Sequence, residues 1–339
     1  MTSRLLAQAT SWITTAAVRH GDSLLDELMR RLSLTRRSAL GLLRQLEAAQ
    51  WLLRSGSPRH PGWRPGPLRQ MVQTYALDGL MEDEPWAQDY APFLALQPNV
   101  ARLAQHAFSE LLNNAIDHSG GSAVTVSVRQ TAMHLQMLVS DDGCGLFERI
   151  ARHHRIDDPQ LAMFELAKGK LTTQPDQHSG HGLHVTTRLA DFFHVHANHQ
   201  AFQRSGEQAR WSRSRPVERM GTSVYLAIAL DTPRTLDDVL RSCSVERGYT
   251  FDSTVVPLRL LLGENIGLES RAQAKRVASR LPSFRRAEID FSGIADIGHG
   301  FADELFRVYL GEHPQLELVP VGMAPRVAAM VESVRALAT

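Results

Sequence analysis

The spacing of apolar positions changes along the chain, and the changes divide it. From Leu5 to about Trp63 apolar residues recur at helical spacing. Leu24, Leu25 and Leu28 mark one face, and Leu40, Leu43 and Leu46 mark another behind Thr35, a residue suited to capping a helix start. The stretch "WLLRSGSPRHPGWRPG" then supplies a short strand, a Ser/Pro/Gly turn with basic residues, and a return strand. Residues 1–66 are therefore predicted as helix, turn, helix and hairpin. Residues 67–99 are acidic around "MEDEPWAQDY", carry prolines at 85, 92 and 98, and read as a linker with one helix.

A third pattern begins at Val100. In "ELLNNAIDHSGG" the apolar positions Leu111, Leu112, Ala115 and Ile116, with Phe108 before them, occupy one side of a helix. Glu110, Asn114 and Asp117, with Asn113 or His118, occupy the other. Two strands follow in "VTVSVRQTAMHLQMLVSDDGCGLF", ending in Asp141, Asp142, Gly143, Cys144 and Gly145. Further on, "SGHGL" leads from Gly180 and Gly182 directly into a helix. Glycines there let the backbone approach a ligand, and the helix start favours phosphate charge. A carboxylate at a strand end can accept a hydrogen bond from an exocyclic amine such as that of adenine. Magnesium prefers oxygen donors and is usually shared between a protein amide or carboxylate and substrate phosphates, a role that suits Asn114. Glu110, one turn earlier, can orient or deprotonate a water.

From Thr254 onward strand and helix patterns alternate: "TVVPLRLLL", "SRAQAKRVASRL", "RAEIDFSGI", "FADELFRVYL", "LELVPVG" and "PRVAAMVESVRAL". That alternation predicts a small α/β layer domain over residues 250–339. The formal net charge of +1 neither requires nor excludes nucleic acid, so a basic surface has to be local. Two cysteines without CxxC spacing indicate neither a disulfide framework nor a thiolate zinc site. No apolar run of about eighteen residues and no signal-peptide core are present, so the expectation is a cytoplasmic protein without a membrane partner.

Three resemblances follow from these stretches. The helix, turn, helix and basic hairpin resemble a winged helix-turn-helix domain. That implies DNA as a partner, with Arg36, Arg37, Ser38 and Arg44 on the outward side of the second helix and Arg59, beside Arg54 and Arg64, on the wing. A winged helix often works as a dimer on paired half-sites, which favours a homodimer. The ordered set "ELLNNAIDH", "DDGCG", "SGHGL" and "GTSVYLAI" resembles the nucleotide-binding boxes of the GHKL superfamily of gyrase-type ATPases, HSP90 chaperones, mismatch-repair ATPases, histidine kinases and anti-sigma serine kinases. It implies an α/β sandwich of the Bergerat fold over residues 100–232 that binds ATP and Mg2+. By that resemblance Glu110 is the catalytic or metal-organising acid, Asn114 the magnesium ligand and Asp141 the reader of adenine. Asp117, Gly143, Gly145, His181, Leu183 and Thr222 join the pocket, while Gly180 and Gly182 hold the phosphates. The segment between the glycine boxes would be a lid, offering Lys168, Lys170, Thr172 and Thr173 to the phosphates. Finally, "IDFSGIADIGHGFADELFR" resembles a STAS-like domain of the DUF4325 type. The serine that accepts phosphate in anti-sigma antagonists is missing, since the comparable positions read Gly298, His299 and Gly300.

The predicted fold class is thus α+β multidomain. The leading expectation is a regulator that couples ATP state to DNA binding. The alternative is a partner-switching protein kinase acting on a client protein or on its own STAS-like domain, and a third reading is a scaffold with a vestigial site. Intact box residues argue against the third, and no hairpin of helices presents a histidine as a sensor kinase would. His194 and His196 in "HVHANH" and the arginines around Trp211 read more plainly as strand and loop residues than as a metal pair or a nucleic-acid stripe. Of His178, His181 and His184, only His181 lies between the glycines.

Overall fold

A computed structural model of the protein describes residues 2–57, 60–156, 159–171, 180–205, 210–246, 248–262 and 267–337. Its strands are, in chain order, β1 (Leu52–Gly56), β2 (Pro61–Pro65), β3 (Arg69–Ala76), β4 (Ala123–Gln130), β5 (His134–Asp141), β6 (Phe192–Ala197), β7 (Gln200–Ser205), β8 (Arg210–Arg213), β9 (Thr222–Ala229), β10 (Ser253–Pro257), β11 (Arg286–Asp290) and β12 (Glu317–Val321). The chain divides into two compact units. One comprises Met1–Gly143 with Gly221–Pro233, the other Cys144–Met220 with Arg234–Thr339.

In the first unit, helices Thr2–Thr10, Ile13–Arg19, Leu24–Leu32 and Arg36–Ala48 close on a core that includes Leu24, Leu28, Leu43, Leu46, Trp51 and Trp63. The Thr35 hydroxyl accepts from the Ser38 amide and starts the last of these helices where its apolar face begins. β1 and β2 follow as an antiparallel hairpin with Leu52 opposite Pro65.

The next stretch corrects the expectation of a linker over residues 67–99. β3 pairs antiparallel with β4 along its whole length, from Arg69 opposite Gln130 to Ala76 opposite Ala123. β4 pairs with β5, and β5 with β9, so these strands form an antiparallel sheet in the order β3-β4-β5-β9. β4 alternates as a half-buried strand should, with Val124, Val126 and Val128 turned inward. Helix Pro98–His118 lies on β5 and β9 and buries Leu103, Phe108, Leu111, Leu112 and Ala115. Phe108 also meets Trp86 and Tyr90, at centroid separations of 5.3 and 5.2 Å, so the acidic stretch packs on the helix that follows it. Within this unit the N-terminal helices are tied to the sheet. The Gln70 amide donates to Thr14 Oγ1 at 3.0 Å, and the Arg129 guanidinium lies 5.5 Å from the Trp51 ring centroid.

In the second unit β6, β7 and β8 form antiparallel pairs, accompanied by helices Leu146–His154, Pro159–Ala167 and Gly182–Leu189. The C-terminal part is the predicted small layer domain. β10, β11 and β12 pair in parallel, with Val255 opposite Glu288 and Ile289 opposite Pro320. The connections carry helix Arg271–Ala278, opened by a capping box between Ser270 and Gln273, and a helical run from His299 to Glu312. Helix Pro325–Arg335 closes the domain. Among the described residues no helix is long and apolar enough to cross a membrane.

Candidate functional site

The residues singled out by sequence fall into two sets, one in each unit. In the first unit Glu110, Asn114 and Asp117 are half-buried on one side of helix Pro98–His118, opposite the side that packs on the sheet. Asp141 ends β5 and is 6% exposed, a burial that a carboxylate tolerates only with partners. Its Oδ1 accepts from the Gly143 amide at 2.9 Å and from the Thr222 amide at 3.0 Å. Backbone from two different strand ends therefore aims this carboxylate.

Two glycines make that arrangement possible. Gly221 has φ +87°, and a Cβ there would run into the backbone of Asp141. A Cβ on Gly143 would strike the backbone of Ser119, just past the end of the polar helix. The close approach of Gly143 to Ser119 thus sets the strand end carrying Asp141 beside the helix end. The neighbouring Asp142 has a different task. Its carboxylate accepts from the Ser122 hydroxyl at 2.6 Å and from the Ser122 and Ala123 amides at 2.7 and 3.0 Å, and these bonds, the hydroxyl's first, hold it down at about 2.

In the second unit Gly145 has φ +91° and leaves room for the side chains of Asn198 and Glu148. Asn198 itself donates to the Cys144 carbonyl at 2.9 Å. Sequence reasoning missed Asn198. Its only signal was an Asn in the turn between β6 and β7, where it adopts φ +51°. Gly180, φ +70°, packs its backbone on that of Leu171. His181 follows and stacks on Phe251, with ring centroids 4.2 Å apart and planes 17° from parallel. Burial, and after it the charge of Lys170, lowers its pKa. Gly182 and Leu183 open helix Gly182–Leu189. His184 lies beside Gly169, and burial pushes its pKa well below the usual histidine range.

The two lysines are held by protein groups. The Lys168 side chain is fully buried, and Nζ donates to Glu165 Oε1 at 2.8 Å, the Ser279 carbonyl at 3.0 Å and the Arg276 carbonyl at 3.3 Å. Burial pushes its pKa down to about 8 against the pull of Glu165. Lys170 Nζ donates to the Ser283 carbonyl at 2.7 Å. Thr172 and Thr173 lie outside the described residues, as does Arg59 of the hairpin. Arg36, Arg37, Ser38 and Arg44 are exposed on helix Arg36–Ala48, and Arg54 and Arg64 are exposed on β1 and β2.

Other signals resolve as packing. His194 and His196 meet Ser214 Oγ and the Val217 carbonyl, at 2.8 and 2.9 Å. Trp211 is buried and edge-on to Phe193, which removes the aromatic from any nucleic-acid stripe. Among the described residues no three His, Cys, Asp or Glu side chains gather as for a metal ion. A magnesium shared with phosphates needs only one or two protein oxygens, which the half-buried Asn114 and Glu110 can provide.

Against this geometry, residues 99–232 match the family model of the histidine kinase-, DNA gyrase B-, and HSP90-like ATPases. A domain of this kind binds ATP. Residues 273–328 match a STAS-like domain of unknown function, DUF4325. No curated protein matches the chain. The first match contains Glu110, Asn114, Asp141, both glycine boxes and Thr222, so the aimed carboxylate and the polar helix belong to a domain of a nucleotide-binding family.

Proposed function

We propose that the chain is a Mg-ATP-responsive regulator whose nucleotide state governs DNA binding by its N-terminal helices and hairpin, which act as a winged helix. The observation that carries the nucleotide part is Asp141: a buried carboxylate, oriented by two backbone amides, inside a stretch that matches an ATPase family. One oxygen anchors the group, and the carboxylate is suited to receive the exocyclic amine of adenine. Asn114 would hold magnesium, which neutralises phosphate charge when bound. Glu110, one helical turn away on the same side, would orient or deprotonate the attacking group. Gly180 and Gly182 would let backbone approach the phosphates.

The DNA part rests on the exposed Arg36, Arg37 and Arg44 on one capped helix with Arg54 and Arg64 on the adjoining hairpin. The hydrogen bond donated by the Gln70 amide to Thr14 and the stacking of Arg129 on the Trp51 ring give the sheet a direct hold on this module. A second reading, a protein kinase of the anti-sigma type, draws support from the STAS-like domain sharing a compact unit with the second glycine box.

Intact-mass spectrometry after incubation with Mg-ATP, with ADP and phosphate assayed in the same tube, separates the two. ADP and phosphate on an unmodified chain support the ATP-driven regulator, and added phosphate on the chain or a client supports the kinase. Glu110→Ala should retain ATP and lower either activity by about 10²–10⁴-fold, the usual worth of a positioned acid or base. DNA binding followed by fluorescence anisotropy against salt should lose about 0.9 from its logarithmic slope for each phosphate contact removed by Arg36→Ala or Arg37→Ala. An unchanged slope in both variants would remove this helix from the DNA interface.

A further inference from the structure

The segment Glu165–Leu171 leads toward the second glycine box, and within its unit the STAS-like domain clasps it. The three Nζ donors of Lys168 are taken by Glu165 and by the carbonyls of Arg276 and Ser279. Lys170 reaches the Ser283 carbonyl and lies 4.7 Å from the Phe284 ring centroid. In return, Arg280 Nη1 donates to the Glu165 carbonyl and to Glu165 Oε2, both at 3.1 Å. Its Nη2 donates to the carbonyls of Gly169 and Lys170, both at 2.7 Å. The buried Thr254 hydroxyl completes the clasp by donating to the Lys168 carbonyl at 2.6 Å. Lys170 and Arg280 both hold positive φ, 51° and 66°, conformations that non-glycine residues keep only where their surroundings fix them.

These contacts occupy the cations that a phosphate group would attract. A lysine whose donors are bound to protein carbonyls is withheld from a ligand until those bonds break, so nucleotide and STAS-like domain compete for one segment. We infer that the STAS-like domain is an intramolecular brake on the nucleotide site, withholding Lys168 and Lys170 through Arg280, and that releasing the clasp raises affinity for Mg-ATP. This rests on the nucleotide reading of the preceding subsection. Apparent affinity scales with the fraction of competent molecules, so a clasp closed in about nine molecules of ten lowers it about ten-fold.

The test uses the full-length chain and two variants outside the nucleotide motifs, Arg280→Ala and Thr254→Val. Hydrogen exchange of the amides in 165–171, measured without nucleotide, reports the clasp, and calorimetric titration with Mg-ATP reports its consequence. Both variants should exchange faster there and bind Mg-ATP several-fold more tightly, while Thr254→Ser, which keeps the hydroxyl, should match the wild type. Lys170→Ala loses the clasp and the withheld cation together and should not tighten binding. Unchanged exchange in both variants would overturn the clasp, and faster exchange with equal or weaker ATP affinity would overturn the brake. Binding that appears only after release supports it. Faster exchange with no ATP binding in any variant would instead sink the nucleotide reading, and the brake with it.

Discussion

Asp141 and Lys168 are both buried charged groups in the stretch that matches the ATPase family, and they are held in opposite ways. Asp141 takes its partners from backbone at its own strand end and at the start of β9, the neighbouring strand of its sheet. Lys168 takes two of its partners, Ser279 and Arg276, from a helix and turn more than a hundred residues further on. The first arrangement fixes the orientation of a group to which the proposed function gives the adenine. The second removes one from reach, and only substitutions acting on ligand and on fold separately can keep the two apart.

The largest effect is expected from Glu165→Ala. It leaves the Lys168 ammonium buried beside Arg280 without its carboxylate, and breaking a buried pair in this way costs about 3–5 kcal/mol. Denaturant unfolding should show the loss, and a stability within about 0.5 kcal/mol of wild type would mean that Lys168 is not held as described. Asp141→Asn should do the reverse. Asparagine keeps an acceptor for the Gly143 and Thr222 amides, so the fold survives, whereas a charge-assisted bond to adenine worth about 1.5–3 kcal/mol is weakened, about ten- to a hundred-fold in affinity. Equal calorimetric affinities for the variant and the wild type would take adenine recognition away from this residue.

A smaller difference separates the pH responses. Lys168 sits at about 8 in the folded chain against 10.5 ordinarily, so between those values the unfolded chain binds the extra proton. Stability should therefore rise with pH across that window, by at most about 1.4 kcal/mol per pH unit, and Lys168→Met should lack this component. A wild-type curve parallel to that of Lys168→Met would contradict the burial. Smallest is the acid response of Asp142, lowered from 3.8 to about 2. Its contribution is present above the ordinary value and lost as pH falls through about 2, a loss that Asp142→Ala should not show in acid unfolding.

How much of this was legible in the sequence follows from the range of the contacts. The polar side of helix Pro98–His118, the Thr35 cap and the β-α alternation after Thr254 depend on neighbours a few residues away, and periodicity reports them. Asp141 and the glycines were recognisable because a local run, "DDGCG", encloses both. Nothing in that run showed that Asp142 serves β4 instead, through Ser122 and Ala123. β3 went unread because "RQMVQTYA" interleaves few apolar residues and buries chiefly Met71, its pairing coming from main-chain bonds to β4. The clasp on Lys168 could not be read locally, because the carbonyls of Arg276 and Ser279 that hold it stand more than a hundred residues further along the chain.

β3 also has a bearing on how this protein can be cut apart. The ATPase family match begins at residue 99, and a fragment started there would leave out the outermost strand of the β3-β4-β5-β9 sheet. The β4 backbone from Ala123 to Gln130 would then present a row of unpaired amides and carbonyls beside Val124, Val126 and Val128, an exposed template for strand addition between molecules. Such a fragment should aggregate where one beginning at Arg69 or earlier stays dispersed, so the smallest well-behaved piece that holds the matched domain is longer than the match itself.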